Sequence, residues 1–493
     1  MTIVKISRKL HKWLMLLVGV QMLIWAATGT YMVVMNIDYI HGDSLVRSHQ
    51  DENMRTLLDI SQVKFNLVQL KLAYPQADDI HLKMLQQQAV YQFRNGKRRH
   101  LVNATTGILL ADISKAQAQT IAQTHYTGKG NIVHTKFLTQ VNGEISARIL
   151  PVWRIEFADM AAPRLYVSTH TGELVTKRHD YWVLFDWFFC FHIMDYGEDG
   201  EVSNVLLLII ALISLLACLS GVVLTYVSFV KVGGKSIQTP KNDSAMRVMP
   251  WIRYIHRCLS LLVFIQLFIW LVTGLYFNLM DNKKASGNQN RQRIVENTQQ
   301  FNTDKLFPIA TIVKQNQNVL KVSLISRLDR PFYLVTEQQG LYDHFPRKQF
   351  LVDAINGNKV AIDKGLVESI AKTSYLGKAD IDFSIPLTPL IIEIPKQKNP
   401  LWKINFNDKL NTSVYIDKQN AGVVAHVDDD KRLANLMFKL HFMDYHLLSN
   451  ITASKIGGFN NIQIIVLALL TLLFALTGMY WLTHLIMHKQ FRW

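Results

Sequence analysis

Apolar residues are concentrated in four long runs along the chain. The runs are Trp13–Ile37, Asn204–Val230, Cys258–Met280 and Ile462–Ile486, and none has a Lys, Arg, Asp or Glu in its interior. A helix needs about 20 apolar residues to cross a hydrocarbon layer about 30 Å thick, and each run is long enough. The pattern therefore predicts an integral membrane protein with four transmembrane helices.

The first run follows four basic residues, as the apolar core of a signal peptide does. It is too long for such a core, and no small-x-small cleavage site follows Tyr31. We interpret this run as a retained signal anchor.

Basic residues mark one predicted side of the membrane. The residues before the first run, the short segment 231–257 and the tail after the fourth run are rich in Lys and Arg, and 231–257 holds only one acidic residue, Asp243. The positive-inside rule places these three segments, with both termini, in the cytoplasm. The two long segments between them then lie outside, because long domains are translocated largely regardless of their charge.

The predicted order along the chain follows from these two patterns. It is a cytoplasmic N-terminus with the first helix (1–37), an outer domain (38–203), the second helix (204–230), a cytoplasmic loop (231–253), the third helix (254–280), a second outer domain (281–461), and the fourth helix with a cytoplasmic tail (462–493). The formal net charge of +16 then indicates contact with anionic membrane lipid at the helix flanks. No nucleic-acid-binding motif accompanies the charge, so nucleic acid is not an expected partner.

The two halves of the chain repeat each other. RKLHKWLMLLVGVQMLIWAATGTYMVV, from Arg8, aligns without a gap with RYIHRCLSLLVFIQLFIWLVTGLYFNL, from Arg253, and FHIMDY aligns with LHFMDY further on. Such a repeat indicates an internal two-fold duplication. Each outer segment has a helix pattern followed by short strands, which predicts a small α+β domain in each half. We interpret one stretch, VYQFRNGKRRHLVNATTGILL, as a hairpin with a Thr-Gly turn.

The order of these motifs resembles that of a known family. H-x-W at His11, W-x-x-T-G-x-Y at Trp25 and Trp270, and strand pairs ending like RLYVSTHTGELV resemble the PepSY-associated transmembrane proteins of bacterial inner membranes. The resemblance covers nearly the whole chain and implies PepSY-like domains on the periplasmic side. Some members are di-haem ferric-siderophore reductases, which implies two haem b groups and a ferric acceptor. Other members are known only as iron-regulated or are uncharacterised.

Four of the 17 histidines recur at matched positions in the two halves. His11 aligns with His256 at the predicted cytoplasmic mouth of the first and third helices, and His192 aligns with His441 on amphipathic stretches just outside the second and fourth. Ionisable residues at a membrane are costly and tend to be functional. Two matched half-sites that face each other supply the two axial nitrogens of a bis-histidine b-type haem. No CxxCH occurs, so neither haem would have a thioether link.

The two pairs are expected at opposite ends of the membrane helices. About 25 residues, or roughly 37 Å at the helical rise, separate His11 from the outer end of its helix, so it cannot share a ligand sphere with His192. His484, at the predicted cytoplasmic end of the fourth helix, has no counterpart in the first half and is a further candidate ligand on the inner side. For each histidine the alternative is an interfacial or capping role, which is the commoner use of histidine at a helix end.

Three more residue pairs recur beside these sites: Met194 and Met443, Trp25 and Trp270, and Asp195 and Asp444. We interpret the methionines as packing against a macrocycle rather than as axial ligands. The tryptophans are equally consistent with contact to a haem edge, with electron conduction and with helix packing, and the recurring glycines indicate close helix packing. The aspartates either orient an imidazole or cap the amphipathic helix.

Absent motifs narrow the classes of function. GxGxxG after a strand, GxxxxGK[ST], HExxH and CxxC do not occur, which weighs against a dinucleotide or ATP site, a zinc protease and a thiol redox enzyme. We predict a reductase that moves electrons from a cytoplasmic or quinol donor through the membrane to periplasmic ferric iron or a ferric siderophore. The alternative is a haem-free membrane protein whose PepSY-like domains bind a peptide, a protease or a metal chelate in a regulatory role.

Overall fold

The computed structural model contains two compact units, each built from segments that are far apart in the sequence. The membrane unit comprises Met1–Ile40, Tyr181–Asn282 and Leu433–Trp493, and the domain unit comprises His41–Asp180 and Lys283–Arg432. The structure describes residues 2–47, 56–197, 203–231, 244–444 and 460–488.

Helices and strands follow a similar order in the two halves of the chain, except that β11 has no counterpart among the described strands of the first half. The helices are α1 (Thr2–Val34), α2 (Ile37–Ile40), α3 (Leu67–Ala73), α4 (Lys115–His125), α5 (Asp180–Ile193), α6 (Val205–Tyr226), α7 (Ser244–Leu279), α8 (Asn282–Ala285), α9 (Ile309–Gln315), α10 (Lys364–Ser374), α11 (Asp429–His441) and α12 (Ile462–Met487). The strands are β1 (Asp78–Leu85), β2 (Gln88–Asn95), β3 (Arg98–Asn103), β4 (Ile132–Leu138), β5 (Val152–Phe157), β6 (Arg164–Ser168), β7 (Leu174–Arg178), β8 (Lys321–Arg327), β9 (Arg330–Gln338), β10 (Lys348–Asp353), β11 (Lys359–Val360), β12 (Ile381–Leu387), β13 (Leu401–Phe406), β14 (Ser413–Asp417) and β15 (Val423–Val427).

Four helices of the membrane unit are long and apolar enough to cross a membrane. The candidate spans within α1, α6, α7 and α12 are Ile3–Val34, Val205–Phe229, Val248–Leu279 and Ile462–Met487. The four predicted transmembrane helices are therefore confirmed, and the chain is a multi-pass membrane protein. α1 and α7 begin before their apolar runs, at Thr2 and Ser244, and α7 continues through Pro250.

The membrane helices pack closely because small residues face their neighbours. α1 and α7 each pack against both α6 and α12. The buried positions of α6 and α12 include several small residues: Ala211, Ser214, Ala217, Ala468 and Thr471. Large residues between them, such as Leu212 and Leu216, are exposed. Small residues at an interface let membrane helices approach each other closely.

The short helices α5 and α11, which carry the outer histidines, end in the same way. Met194 and Met443 follow them with φ of 55° and 52°. The N–H groups of Asp195 and Asp444 then donate to carbonyl oxygens five residues earlier, at 3.0 Å in both cases. This is the Schellman type of helix end, which is uncommon without glycine at the left-handed position. It ends α11 at its histidine and α5 one residue after its histidine.

Two asparagines fix these helix ends to the membrane helices that follow. Asn204 caps α6 by accepting from the N–H of Leu207 at 2.7 Å, and its amide donates to the carbonyl of Ile193 at 3.1 Å. Asn461 caps α12, and its amide donates to the carbonyl of Phe442 at 2.9 Å. Each outer histidine is therefore held at the start of a membrane helix.

The domain unit is built on antiparallel sheets. Among the described residues, a seven-stranded sheet has the order β11-β10-β9-β8-β1-β2-β3, and two four-stranded sheets have the orders β4-β5-β6-β7 and β12-β13-β14-β15. β1 pairs with β8, His81 opposite Ser323, so one sheet contains strands from both halves of the chain. α4 and α10 pack against the two four-stranded sheets. This combination of helices and antiparallel sheets confirms the α+β class.

The predicted Thr-Gly turn is present, but the stretch has a second turn that was not predicted. At the Thr-Gly turn, which follows β3, Gly107 donates its N–H to the carbonyl of Asn103 at 2.9 Å. After the Thr-Gly turn the chain runs back along β3: Asn103 donates its N–H to the carbonyl of Ile108 at 2.9 Å, and Leu110 donates to Leu101 at 2.7 Å. β2 and β3 pair from Asn95 opposite Arg98, so the loop of the second turn is formed by Gly96, with φ of 62°, and the residue after it. Glycine suits the first position of this two-residue loop, because the residue there has positive φ.

Candidate functional site

His11 on α1 and His256 on α7 each lie against a neighbouring membrane helix. Nδ1 of His11 is 2.9 Å from the carbonyl oxygen of Ala217 on α6, and Nδ1 of His256 is 3.2 Å from that of Phe474 on α12. A carbonyl oxygen can only accept, so Nδ1 holds the proton in both imidazoles. Nε2 is then the nitrogen with the available lone pair.

His192 and His441, at the ends of α5 and α11, lie against the threonines of the two W-x-x-T-G-x-Y motifs. Nδ1 of His192 is 3.0 Å from Oγ1 of Thr28 on α1, and Nδ1 of His441 is 2.8 Å from Oγ1 of Thr273 on α7. Each threonine hydroxyl already donates to the carbonyl four residues earlier, at 2.7 Å in both helices. Each hydroxyl therefore accepts from Nδ1–H, and Nε2 again has the lone pair.

All four imidazoles are thus held in one tautomer. Within the described parts of the chain, their hydrogen bonds all involve Nδ1. A histidine that binds a metal usually donates its other N–H to a carbonyl, carboxylate or water, which fixes the ring and raises the basicity of the ligating nitrogen. These side chains therefore have the arrangement that ligation through Nε2 requires.

The imidazoles form two groups at two levels of the membrane unit. His11 is close enough to His256 to interact with it electrostatically, and the same is true of His192 and His441. In both α1 and α7, 17 residues separate the inner histidine from the threonine that contacts the outer one. That spacing is about 25 Å along a helix. The structure thus brings together the residues of each predicted pair, while their role as ligands stays a prediction.

Three glycines make room for these imidazoles. A Cβ atom added at Gly29, Gly221 or Gly478 would lie 3.3, 3.1 or 2.9 Å from an imidazole carbon. Gly274 occupies the position in the second half that Gly29 occupies in the first, and a Cβ atom added there would meet nothing within 4 Å. The close packing at the first three positions is therefore packing of a histidine ring against a helix backbone.

The two tryptophans of the repeated motif have different partners. Nε1 of Trp270 donates to the carbonyl oxygen of His441 at 2.7 Å. Nε1 of Trp25 is buried without a hydrogen-bond partner among the described residues. Trp270 is therefore a positioning residue for the end of α11.

The methionines and aspartates that follow the outer histidines lie at the helix ends described above. Met194 and Met443 are both buried, and Met443 packs with Val33 and Ile464 of the membrane helices. The carboxylate of Asp195 accepts from the N–H of Gly197 at 3.1 Å.

His484 has a different set of neighbours from the inner pair. The centroid of its ring is 4.2 Å from that of His488, and it interacts electrostatically with Arg253. The geometry therefore groups His256 with His11 and favours these two as the inner pair.

This set of donors fits a b-type haem at each level, because each level offers two imidazoles with an available Nε2. Among the described residues, no group of three or more His, Cys, Asp or Glu side chains is placed to hold a metal ion. A closed structural site for an ion such as Zn²⁺ needs a group of that kind. A haem needs only two axial ligands from the protein, since the porphyrin supplies the other four.

Sequence reasoning missed the groups that accept the Nδ1–H bonds. The carbonyl oxygens of Ala217 and Phe474 leave no signal in a sequence, because every residue has one. The hydroxyls of Thr28 and Thr273 did leave a signal, since both threonines recur in the W-x-x-T-G-x-Y motif.

A comparison with known families and proteins completes the description of the site. The family model of the PepSY-associated TM region matches residues 8–484. No curated protein matches the chain. The matched region contains both histidine pairs, the domain unit, all of α6 and α7, and most of α1 and α12. The chain therefore belongs to the PepSY-associated transmembrane family.

Proposed function

We propose that the protein is a haem-containing reductase of the bacterial inner membrane, which moves electrons to a periplasmic ferric iron or ferric-siderophore acceptor and so supports iron uptake. One observation carries the proposal: two pairs of imidazoles keep Nε2 available at two levels of the membrane unit. A protein whose helices serve only as anchors has no need for this arrangement. The resemblance to di-haem reductases of the family supports the same function.

In this proposal, His11 and His256 hold one haem b, and His192 and His441 hold the other. When bound, haem b supplies one-electron transfer at a potential set by its axial ligands and surroundings. The part played by the chain is orientation and tuning. Each Nδ1–H bond fixes the rotation of one imidazole and increases the basicity of its Nε2.

The proposed direction of electron flow follows from the charge of the flanking segments. The positive-inside rule assigns the end that bears His11 and His256 to the cytoplasm, and the end that bears His192 and His441 to the periplasm. The electron donor is then a cytoplasmic reductase or a membrane quinol. Reduction of the acceptor releases iron, because chelators with hard oxygen ligands bind Fe²⁺ more weakly than Fe³⁺.

The first test is the haem content of the full-length protein purified from haem-replete cells. We expect about two haem b groups per chain with low-spin spectra, as bis-imidazole ligation requires. His192→Ala and His441→Ala should each remove the same haem, and His11→Ala and His256→Ala should remove the other. His170→Ala, in the domain unit, is the matched control and should keep both. A folded but colourless protein would overturn the proposal and leave a binding protein for a peptide, protease or metal chelate.

The acceptor is tested with dithionite-reduced protein in oriented proteoliposomes, followed by stopped-flow absorbance. A ferric siderophore added on the side of the domain unit should reoxidise the protein, and His192→Ala should slow this step. Reoxidation only from the side of the basic segments would show that the proposed direction is wrong. If no ferric chelate reoxidised the protein from either side, the haems would stand and the iron substrate would be refuted.

A further inference from the structure

A group of buried side-chain nitrogens without partners among the described residues lies beside His256, where α7 packs against α12. Arg253 on α7 has a buried Nε, and Trp481 and His484 on α12 have a buried Nε1 and Nδ1. None of these three nitrogens has a hydrogen-bond partner among the residues that the structure describes. Trp481 and His484 are three residues apart, so they share a face of α12.

The three side chains also contact or influence each other directly. The guanidinium of Arg253 lies over the ring of Trp481, 5.3 Å from its centroid, and such stacking is attractive. Arg253 and His484 interact electrostatically. The three side chains therefore form one group, which we call the Arg253 cluster.

Within the described ranges, the buried nitrogens of the Arg253 cluster have no acceptor. Arginine and tryptophan side chains can only donate, and a histidine Nδ1 donates when it holds the proton. Buried polar groups in proteins nearly always have a partner, and each exception requires an explanation. Two fixed donors, one of them permanently cationic, lie beside a histidine nitrogen that can also donate, and together they favour an acceptor that is rich in oxygen and negatively charged.

We propose that Arg253, Trp481 and His484 form a binding site for an anionic oxygen group, a carboxylate or a phosphate. The planar guanidinium suits both groups, because its N–H donors match their pairs of oxygens. The indole N–H adds a further donor, and its ring holds the guanidinium in place.

Two sources can supply such a group at this position. One is the phosphate of an anionic phospholipid, since the cluster lies near one end of two membrane helices and basic residues there attract such lipids. The other is a carboxylate of a cofactor beside His256, whose ring meets that of Trp481 edge-on at 5.9 Å. Only the second source rests on the proposed function.

The first half of the chain offers a matched control. In the sequence alignment Arg8 corresponds to Arg253, and Leu224 and Val227 stand where the second half has the indole and the imidazole. Arg8 is exposed, and neither aliphatic side chain can donate a hydrogen bond. The site is therefore a feature of the second half alone, and Arg8 tests the effect of charge without the site.

The lipid source is tested with the haem-free, full-length chain in nanodiscs that contain phosphatidylglycerol. Native mass spectrometry measures how many of these lipids the chain retains on release. Arg253→Gln and Trp481→Phe should each weaken retention of one lipid by about tenfold or more, or about 1.4 kcal/mol. Trp481→Phe keeps an aromatic ring under the guanidinium and removes only the N–H. Arg8→Gln should retain lipid as the unmodified chain does.

The cofactor source is tested by redox titration of the haem-loaded chain. If the group is a haem carboxylate, Arg253→Gln should shift the midpoint potential of one haem and leave the other unchanged, with lipid retention unaffected. A change in either measurement, absent from Arg8→Gln, supports the site. If Arg253→Gln and Arg8→Gln behave alike in both, the proposal is overturned. A chain that binds no haem refutes the proposed function, and lipid retention then decides the site by itself.

Discussion

Replacing Thr28 with valine tests whether a hydroxyl group holds the outer histidine in place. Valine has nearly the shape of threonine, so the packing of this side chain, which is 5% exposed, should change little. The substitution removes the acceptor of Nδ1–H of His192, which lies 3.0 Å away. A buried donor left without its partner costs about 1–3 kcal/mol.

That cost should appear in the affinity of the outer site for haem. A loss of about 1–3 kcal/mol corresponds to a decrease in affinity of roughly fivefold to 150-fold. The measurement is a titration of haem into haem-depleted, full-length protein, followed by absorbance at the Soret band. The inner site, which uses His11 and His256, should keep its affinity, because it lies about 25 Å away along the helices.

Two further variants separate the hydrogen bond from packing. Thr28→Ser keeps the hydroxyl and should restore most of the affinity, and Thr273→Val should repeat the loss through His441, whose Nδ1 lies 2.8 Å from that hydroxyl. If Thr28→Val bound haem as tightly as the unmodified protein, the hydroxyl would have no part in holding the site. If Thr28→Ser lost as much as Thr28→Val, packing of the methyl group and not the hydrogen bond would be responsible.

The remaining predictions concern a glycine pair and an ion pair. Gly221→Ala should lower occupancy of the inner haem, because its Cβ would lie 3.1 Å from an imidazole carbon, whereas the Cβ of Gly274→Ala would meet nothing within 4 Å. Gly274→Ala should therefore keep both haems and gain up to about 1 kcal/mol of helix stability. Acid-acetone extraction measures the haem content and thermal unfolding the stability, and equal haem loss in the two variants would contradict the argument. In the domain unit, the hydrogen bond from His81 lowers the pKa of Asp79 to about 2. Stability from this pair should therefore be present above the ordinary carboxyl pKa near 4 and be lost as the pH falls towards 2, by about 1 kcal/mol after screening of a partly exposed pair. Denaturant titrations at pH 5 and pH 2 should show this loss, and Asp79→Asn should lack it; an unchanged pH dependence in the variant would refute the assignment.

The membrane helices were predictable because the bilayer imposes one simple rule on composition and length. The first residues of these helices were not predictable, since α1 (Thr2–Val34) includes basic residues that lie outside the apolar run. The seven-stranded sheet, which contains strands from both halves of the chain, was not predictable either. β1 pairs with β8, which lies more than 200 residues further along the chain, and a pairing of that kind depends on packing that no local pattern records.

The candidate site, like the fold, was predictable from the sequence only in part. Recurrence in the two halves identified His192 and His441, and the structure places them near each other. Recurrence did not identify the tautomer, because that depends on which acceptor faces Nδ1. Recurrence also did not show that Trp25 and Trp270 have different partners, since the two occupy matching sequence positions. Among the described residues only the indole N–H of Trp270 has a hydrogen-bond partner, the carbonyl of His441.

The way the four histidines are anchored gives a physical reason for a chain with two similar halves. Each imidazole is held by a helix of its own half: His11 by α6 and His192 by α1, and His256 by α12 and His441 by α7. Yet each pair of neighbouring imidazoles takes one histidine from each half. A single half would therefore present one well-oriented imidazole at each level, with the second axial position unfilled. Under the proposed function, bis-histidine ligation at either level requires both halves, or the association of two copies of one.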